Sequence, residues 1–525
     1  MSAASITWLP ALAVGTLGAG LALRTFLAAG LSPVGEALAA GLLLLGGGLV
    51  LADRATKWNL PARLVTYALP CVVAWHVSRS SGDARLRAVD LLALTVAAIA
   101  LRDVAMSRSA GSILRRALVA VGFMFGLLGL AQVLYLRPSM TAELIGSGAP
   151  LTTTELGRAF LASWRATGVF TSANVFASAF LVTLMPCVVL SLAAGKGRVA
   201  SVLFGVLGIA GLCAAGSAGA ATAVVVGGAI GWAMVEARPA KIRTARWLAA
   251  SVVAAAVAIV VAARLAPDAA NKLGTLNERL DYWTTALRAL FPTTMDGVVA
   301  LLSGTGPGSA DARMTAASRT DAAFSRDPHQ AILTMALEFG VPFALVACAI
   351  VGGRLASARG SLRTVSALGA SLVRDPAKRP VARDARAWAV GFAVGTLLAG
   401  LMQRLITFFP AGVDAPALVD AAVWTVLGVV AWKLAGFVDI SSDDADLAWW
   451  CGTTALVAHA MIDVHVRIPA ILALAAAAFA TLPGPGPCPT IRGRSLGRLA
   501  AVLLGVFAVL ASLPIVLDAQ SLVSR

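Results

Sequence analysis

The sequence predicts an all-α chain, a polytopic bundle of transmembrane helices, and three observations predict it. Hydrophobic residues make up 59% of the 525 positions, charged residues only 13%, and mean hydropathy is +0.85. A soluble domain carries roughly 25% charged residues, so this chain lacks the polar surface to coat a water-soluble body of its size. Apolar stretches of about 20 residues, the length that crosses a bilayer, recur along the whole chain. Finally, Lys and Arg collect in short runs between those stretches, the positive-inside pattern of membrane topology. A chain of this length would suggest about three soluble domains. A single membrane domain over residues 1–525 accounts for the recurring stretches better.

The predicted spans lie near 7–28, 34–52, 61–77, 88–106, 114–135, 169–192, 199–215, 217–236, 247–265, 330–353, 387–408, 417–435, 447–464, 467–482 and 498–516. That makes about fourteen or fifteen spans. The net charge of +16 and the pI near 10.7 could suit a nucleic-acid binder. Its dispersal between apolar stretches excludes that class and points to the lipid bilayer as partner. Five of the six cysteines (Cys71, Cys187, Cys213, Cys348, Cys451) lie inside apolar stretches and Cys488 lies outside them, so no disulfide framework is implied. No basic residue precedes Arg24 and no clear small-residue cleavage site follows, so the first span is expected to be retained.

Loop charge sets the orientation. The segment 354–386 carries Arg354, Arg359, Arg363, Arg374, Lys378, Arg379, Arg383 and Arg386 against Asp375 and Asp384, and is expected on the cytoplasmic side. Lys196–Arg198, Arg238–Arg246 and Arg492–Arg498 agree with it when the intervening spans are counted, whereas Arg79, Arg85 and Arg87 land outside, against the rule. Two sizeable loops then face outward: 136–167 and 266–328. The second, at about 60 residues, is longer than a connector needs to be, and long loops usually carry function. Leu276, Leu280, Trp283, Leu287 and Leu290 within it are spaced as one face of an amphipathic helix.

The four histidines, His76, His329, His459 and His465, all fall near the predicted outer ends of spans. Any one of them can be purely structural; all four together point to a site on that face. Pro328 can open a helix, which would put His329 in its first turn, facing the outer loop. An imidazole there can serve as a general base for a hydroxyl. Glu338 lies deeper on the same predicted span, where an ionisable residue tends to face the bundle interior, or simply accepts hydrogen bonds from a neighbouring helix. Arg279, one turn from Trp283, suits bidentate contact with phosphate oxygens or interfacial snorkelling. Arg165 is a similar outer-face cation. Gly304-Thr305-Gly306-Pro307-Gly308-Ser309 lacks the Lys-Ser/Thr ending of a nucleotide-binding loop and reads as a tight turn. His459, Asp463 and His465 invite a metal reading, but no carboxylate cluster accompanies them, and no metal or other cofactor is expected.

These residues carry a resemblance. The chain resembles the O-antigen ligase and O-antigen polymerase superfamily, bacterial membrane glycosyltransferases of GT-C-like helical fold. His329, Gln330 and Gly340 meet its motif of His, a polar residue, nine residues and Gly. Gly168 through Phe170 to Asn174 and Ala177 looks like its entry to a span, and Arg279 to Trp283 like its Arg-x-x-x-Trp segment. Gly304 to Gly308 looks like its glycine turn, and His459 with Asp463 like its late patch. The resemblance implies transfer of a glycan from undecaprenyl pyrophosphate to a lipid or glycan acceptor at the periplasmic face of the inner membrane. It implies an inverting, metal-independent reaction, with His329 and Arg279 catalytic and Arg165, Asn174, Trp283, Gln330, Glu338, His459 and Asp463 binding substrate. One departure stands out: where the family has Ser-Arg-Gly, this chain reads Ser217-Ala218-Gly219. A transporter or flippase of lipid-linked saccharide, and a non-catalytic relative in the same assembly, are the alternative readings.

Overall fold

The computed structural model describes residues 9–27, 33–54, 70–77, 82–105, 108–136, 165–191 (save 168 and 171), 197–236, 269–291, 295–318, 330–367, 380–407, 415–463 (save 439, 441 and 442) and 468–483, with isolated positions between 138 and 142. The described residues are all-helical. In chain order the helices are α1 (Leu9–Phe26), α2 (Pro33–Arg54), α3 (70–77), α4 (Gly82–Val104), α5 (Arg108–Ala131), α6 (Ala173–Thr183), α7 (Met185–Ser191), α8 (Arg198–Ala215) and α9 (Ala218–Glu236). They continue with α10 (Ala269–Leu290), α11 (Met295–Ser303), α12 (Ala310–Ala317), α13 (Ala331–Phe339), α14 (Val341–Ala367), α15 (Pro380–Thr407), α16 (Ala415–Ala435), α17 (Asp443–Ala460) and α18 (Pro469–Thr481).

Among the described residues, five helices are long and apolar enough to cross a membrane: Gly111–Leu136, Ala173–Ser191, Arg198–Ala215, Val341–Arg359 and Ala385–Met402. Shorter apolar helices cover Ala11–Phe26, Gly35–Leu51, Ala218–Ala229, Ala421–Ala435 and Pro469–Thr481, each coinciding with a predicted span. The predicted spans near 247–265 and 498–516 lie outside the described residues. The span predicted at 330–353 is two helices, because Gly340 at φ +89° breaks it. The basic segment 354–386 is helical up to Ala367 and again from Pro380.

The chain forms two compact units. One comprises Met1–Arg115, Ala270–Val430 and Ala460–Arg525; the other comprises Arg116–Ala269 and Ala431–His459. In the first unit, α1 packs on α2 and α15, and α4 on α2 and α18. Glycines make the closest of these approaches possible. A Cβ on Gly391 would strike the Gly15 carbonyl, one on Gly395 the Ala19 carbonyl, and one on Gly18 the Trp388 ring at 2.9 Å. Gly391 and Gly395 form a small-x-x-x-small seam of the kind that lets apolar helices gain dispersion at short range.

Helices α10, α12, α13 and α14 share a core. Ala286, Ala289 and Leu290 of α10 pack with Ala310 and Met314 of α12, Ala336 and Leu337 of α13, and Ala344 of α14. The amphipathic helix expected from Leu276 onward is present. Leu290 is buried as expected, together with Ala286 and Ala289, whereas Leu287 is 47% exposed. In the second unit, α6 and α7 are buried along most of their length and pack on α8 and α9. The turn from α8 to α9 is closed by Gly216 at φ +58°, whose N–H reaches the Leu212 and Cys213 carbonyls, and by Ser217 Oγ, which accepts from Ala220 N at 3.2 Å.

Candidate functional site

Two polar clusters hold several of the residues singled out from the sequence, one in each unit. In the second unit Arg165 is the centre. Its Nε donates to the Ala215 carbonyl at 2.8 Å, at the C-terminus of α8 where helix carbonyls lack internal partners. Its Nη2 donates to Asn174 Oδ1 at 2.5 Å. The aliphatic part of Arg165 lies over Gly216, where a Cβ would stand 3.5 Å from its Cγ and Nε. The guanidinium therefore sits beside the Gly216-Ser217-Ala218 turn. Asn174 is held from both sides, since Ser172 Oγ caps α6 by accepting from Asn174 N at 3.3 Å.

One turn further along α6, Ser178 meets His459 of α17. Ser178 Oγ donates its single hydrogen to the Asn174 carbonyl at 2.9 Å. With that hydrogen committed, the 3.0 Å contact with His459 Nδ1 assigns the ring as its donor, which in the neutral imidazole is the Nδ1–H tautomer. His459 is fully buried. Ser178 is not among the residues singled out from the sequence, although its spacing of four from Asn174 places both on one helical face.

In the first unit Arg279 of α10 forms an ion pair with Asp463 at 4.0 Å. Asp463 is buried, while the Arg279 side chain is 23% exposed, so the cation has an open side. Trp283 follows one turn later, with its indole Nε1 buried and without a hydrogen-bond partner among the described residues.

The glycine turn locks into the broken helix. Gly304, Gly306 and Gly308 all have positive φ (+69°, +104° and +78°). Gly306 N donates to the Glu338 carbonyl at 2.8 Å, and a Cβ on Gly304 would collide with that same carbonyl. From the other side a Cβ on Gly340 would strike the Leu302 carbonyl. Only glycine satisfies both the φ values and the approach. The Glu338 side chain is buried. Arg313, absent from the sequence-based candidates, ties this region together: Nη1 donates to the Leu337 carbonyl at 2.8 Å and Nη2 to the Ala289 carbonyl at 2.6 Å. It thereby caps the ends of α13 and α10, and burial pulls its guanidinium below its ordinary pKa. The Arg87 guanidinium reaches Gly308, with Nη1 3.0 Å from where a Cβ would stand. His76 meets Phe339 edge to face, with ring centroids 5.1 Å apart.

Gln330 is the N-cap of α13, and its Oε1 accepts from Leu333 N. The helix thus begins at Ala331 rather than at Pro328, and the Gln330 side chain is engaged as a cap. His329 and His465 lie outside the described residues. Among the described residues no group of three or more His, Cys, Asp or Glu could hold a metal ion. No protein-family model matches the chain, and no curated protein matches it either.

Proposed function

We propose that the chain is a multi-pass membrane glycosyltransferase that moves a glycan from a polyprenyl-pyrophosphate donor to an acceptor hydroxyl. The observation that carries the reading is the position of Arg165. The family resemblance lacks its Ser-Arg-Gly arginine at Ala218, and a guanidinium from another segment lies against that turn. The membrane part draws on exposed apolar stripes. Val199, Leu203 and Val206 of α8 are 75%, 66% and 59% exposed, and Val419, Val423 and Val426 of α16 show the same one-sided exposure. Helix faces of this kind suit lipid contact and not water.

In the reaction, the acceptor oxygen attacks the anomeric carbon from the face opposite the pyrophosphate. The carbon–oxygen bond to pyrophosphate breaks, and the acceptor proton passes to a base. His329 is assigned that base, and Arg279 the charge developing on the leaving pyrophosphate. Arg165 contributes a second cation, and the Trp283 N–H is a donor available to a ligand oxygen. The bacterial inner membrane, with undecaprenyl pyrophosphate as carrier, follows from the resemblance. The test is transfer in vitro by the purified full-length protein, supplied with polyprenyl-pyrophosphate glycan and an acceptor. Product formation that disappears in His329→Ala is expected; unchanged transfer by that variant would overturn the mechanism.

A second reading is favoured by the broken α13–α14 helix and by charges buried among apolar helices, both of which occur in transporters. A flippase would translocate the lipid-linked saccharide in proteoliposomes without forming a transfer product.

A further inference from the structure

The end of α18 gathers three guanidinium groups, all within the first unit. Arg115 of α5 donates from Nη2 to the Thr481 carbonyl at 2.8 Å, and Arg354 of α14 donates from Nη2 to the Leu482 carbonyl beside it. Carbonyls at a helix C-terminus lack internal partners, and the negative end of the dipole attracts cations there. Arg102, in the last turn of α4, is close enough to Arg354 for the two to repel each other. The loop charges of the sequence put all of these helix ends on the expected cytoplasmic side.

Charge at this end is not balanced. Neither Arg102 nor Arg354 makes an ion pair with a described residue. The acid next in sequence, Asp103, is buried whereas Arg102 is exposed. A helix C-terminus is equivalent to roughly half a negative charge, so that end and Asp103 together offset about half of the three cations. Further acids on neighbouring helices come with arginines of their own: Asp53 with Arg54 on α2, and Asp384 with Arg383 and Arg386 on α15.

Arg102 and Arg354 also end two matching apolar faces. Leu91, Thr95 and Ala98 precede Arg102 on α4 at the same intervals as Phe343, Ala347 and Ile350 precede Arg354 on α14. Those intervals place each set on one helical face. All six residues are half-buried. The Thr95 hydroxyl is turned back onto its own helix, donating to the Leu91 carbonyl at 2.7 Å, so it leaves that face apolar. Helix α4 packs on α2 and α18 and not on α14. The two faces therefore lead to the guanidinium pair without closing on each other.

We propose that the space between these faces holds an anionic phospholipid, with its phosphate between Arg102 and Arg354 and its acyl chains along α4 and α14. A guanidinium fork meets phosphate oxygens in pairs. Basic pockets between membrane helices on the cytoplasmic side suit acidic headgroups. The apolar faces favour a lipid over a free phosphate ion. The inference rests on the chain spanning a membrane and not on glycan transfer, so either can fail alone.

Native mass spectrometry of the full-length protein, taken from micelles with equal amounts of phosphatidylglycerol and phosphatidylcholine, tests it. One phosphatidylglycerol should be retained in preference to phosphatidylcholine, and excess inorganic phosphate should not displace it. Arg102→Gln should lower that preference about fivefold, the worth of one arginine beside an acidic headgroup. Arg354→Gln should do the same. Arg102→Gln removes no hydrogen bond to a described residue, so it carries the test even where Arg354→Gln, which loses its bond to Leu482, melts early. Arg359→Gln, at an exposed position on another face of α14, should leave the preference intact. Equal retention of the two lipids, or an Arg102→Gln variant that behaves as the unsubstituted protein, would overturn the proposal. An equal loss in Arg359→Gln would replace the site with diffuse surface attraction, and displacement by inorganic phosphate would replace the lipid with a free anion. Either result overturns it as well.

Discussion

Arg165 and Asn174 are joined by a hydrogen bond of 2.5 Å from Nη2 to Oδ1, and the same guanidinium closes the end of α8 through the Ala215 carbonyl. One side chain therefore fixes the start of α6, the end of α8 and the turn that carries Ala218. Replacing Arg165 with Ala should destabilise the second unit by about 1.5–3 kcal/mol, the range for hydrogen bonds to charged groups. Arg165→Lys cannot reproduce two directed bonds and should recover only part of that loss. A double-mutant cycle with Asn174→Ala, read by thermal denaturation, should give a coupling energy of at least ~0.5 kcal/mol. Additive effects would show the bond to be of no consequence.

Arg279 should behave differently. Its pairing with Asp463 is long and partly exposed, and such pairs contribute roughly 0–1 kcal/mol. Arg279→Ala should leave the melting temperature nearly unchanged while lowering transfer by about 10²-fold or more, as expected for loss of a group that stabilises developing charge. A fall in stability matching the fall in activity would assign Arg279 to architecture alone.

The glycine break gives a contrast within neighbouring helices. Gly340→Ala should destabilise by roughly 1–3 kcal/mol, since alanine at φ +89° is strained and its Cβ meets the Leu302 carbonyl. Gly352→Ala, a helical position with nothing within 4 Å of the added carbon, should stabilise by about 0.5–1 kcal/mol. Chemical denaturation of the two variants side by side decides this; equal effects would mean that the break at Gly340 is incidental.

Ser178→Ala should leave His459 Nδ1–H buried without its acceptor, at a cost of about 1–3 kcal/mol. Nitrogen NMR of labelled histidine should find His459 of the unsubstituted protein with its hydrogen on Nδ1. The opposite tautomer would reverse the donor assignment.

Some of this was legible in the sequence because it rests on local rules. The glycine turn at 304–308 could be read as a tight turn because three closely spaced glycines supply φ values that other residues resist. The helix from Leu276 to Leu290 was visible in its spacing, though not that Leu287 is exposed while Ala286 is buried, which depends on what packs against it. The break at Gly340 was missed because apolar residues on both sides preserve the hydropathy of one continuous span. Ser178 was missed because a serine inside an apolar run has no chemistry until a partner such as His459 faces it.

Composition and periodicity determined that the chain is apolar, where most of the described helices lie, and that the glycines of 304–308 form a turn. These follow from backbone sterics and from hydrophobicity along the chain. Only the tertiary structure decided which polar groups meet. Arg165 reaches a turn some 50 residues away, Arg313 closes two helix ends at once, and Arg24 lies between acids from two other helices. Such pairings are set by the need of each buried charge and open helix end to find a partner in space, and sequence spacing does not encode that partner.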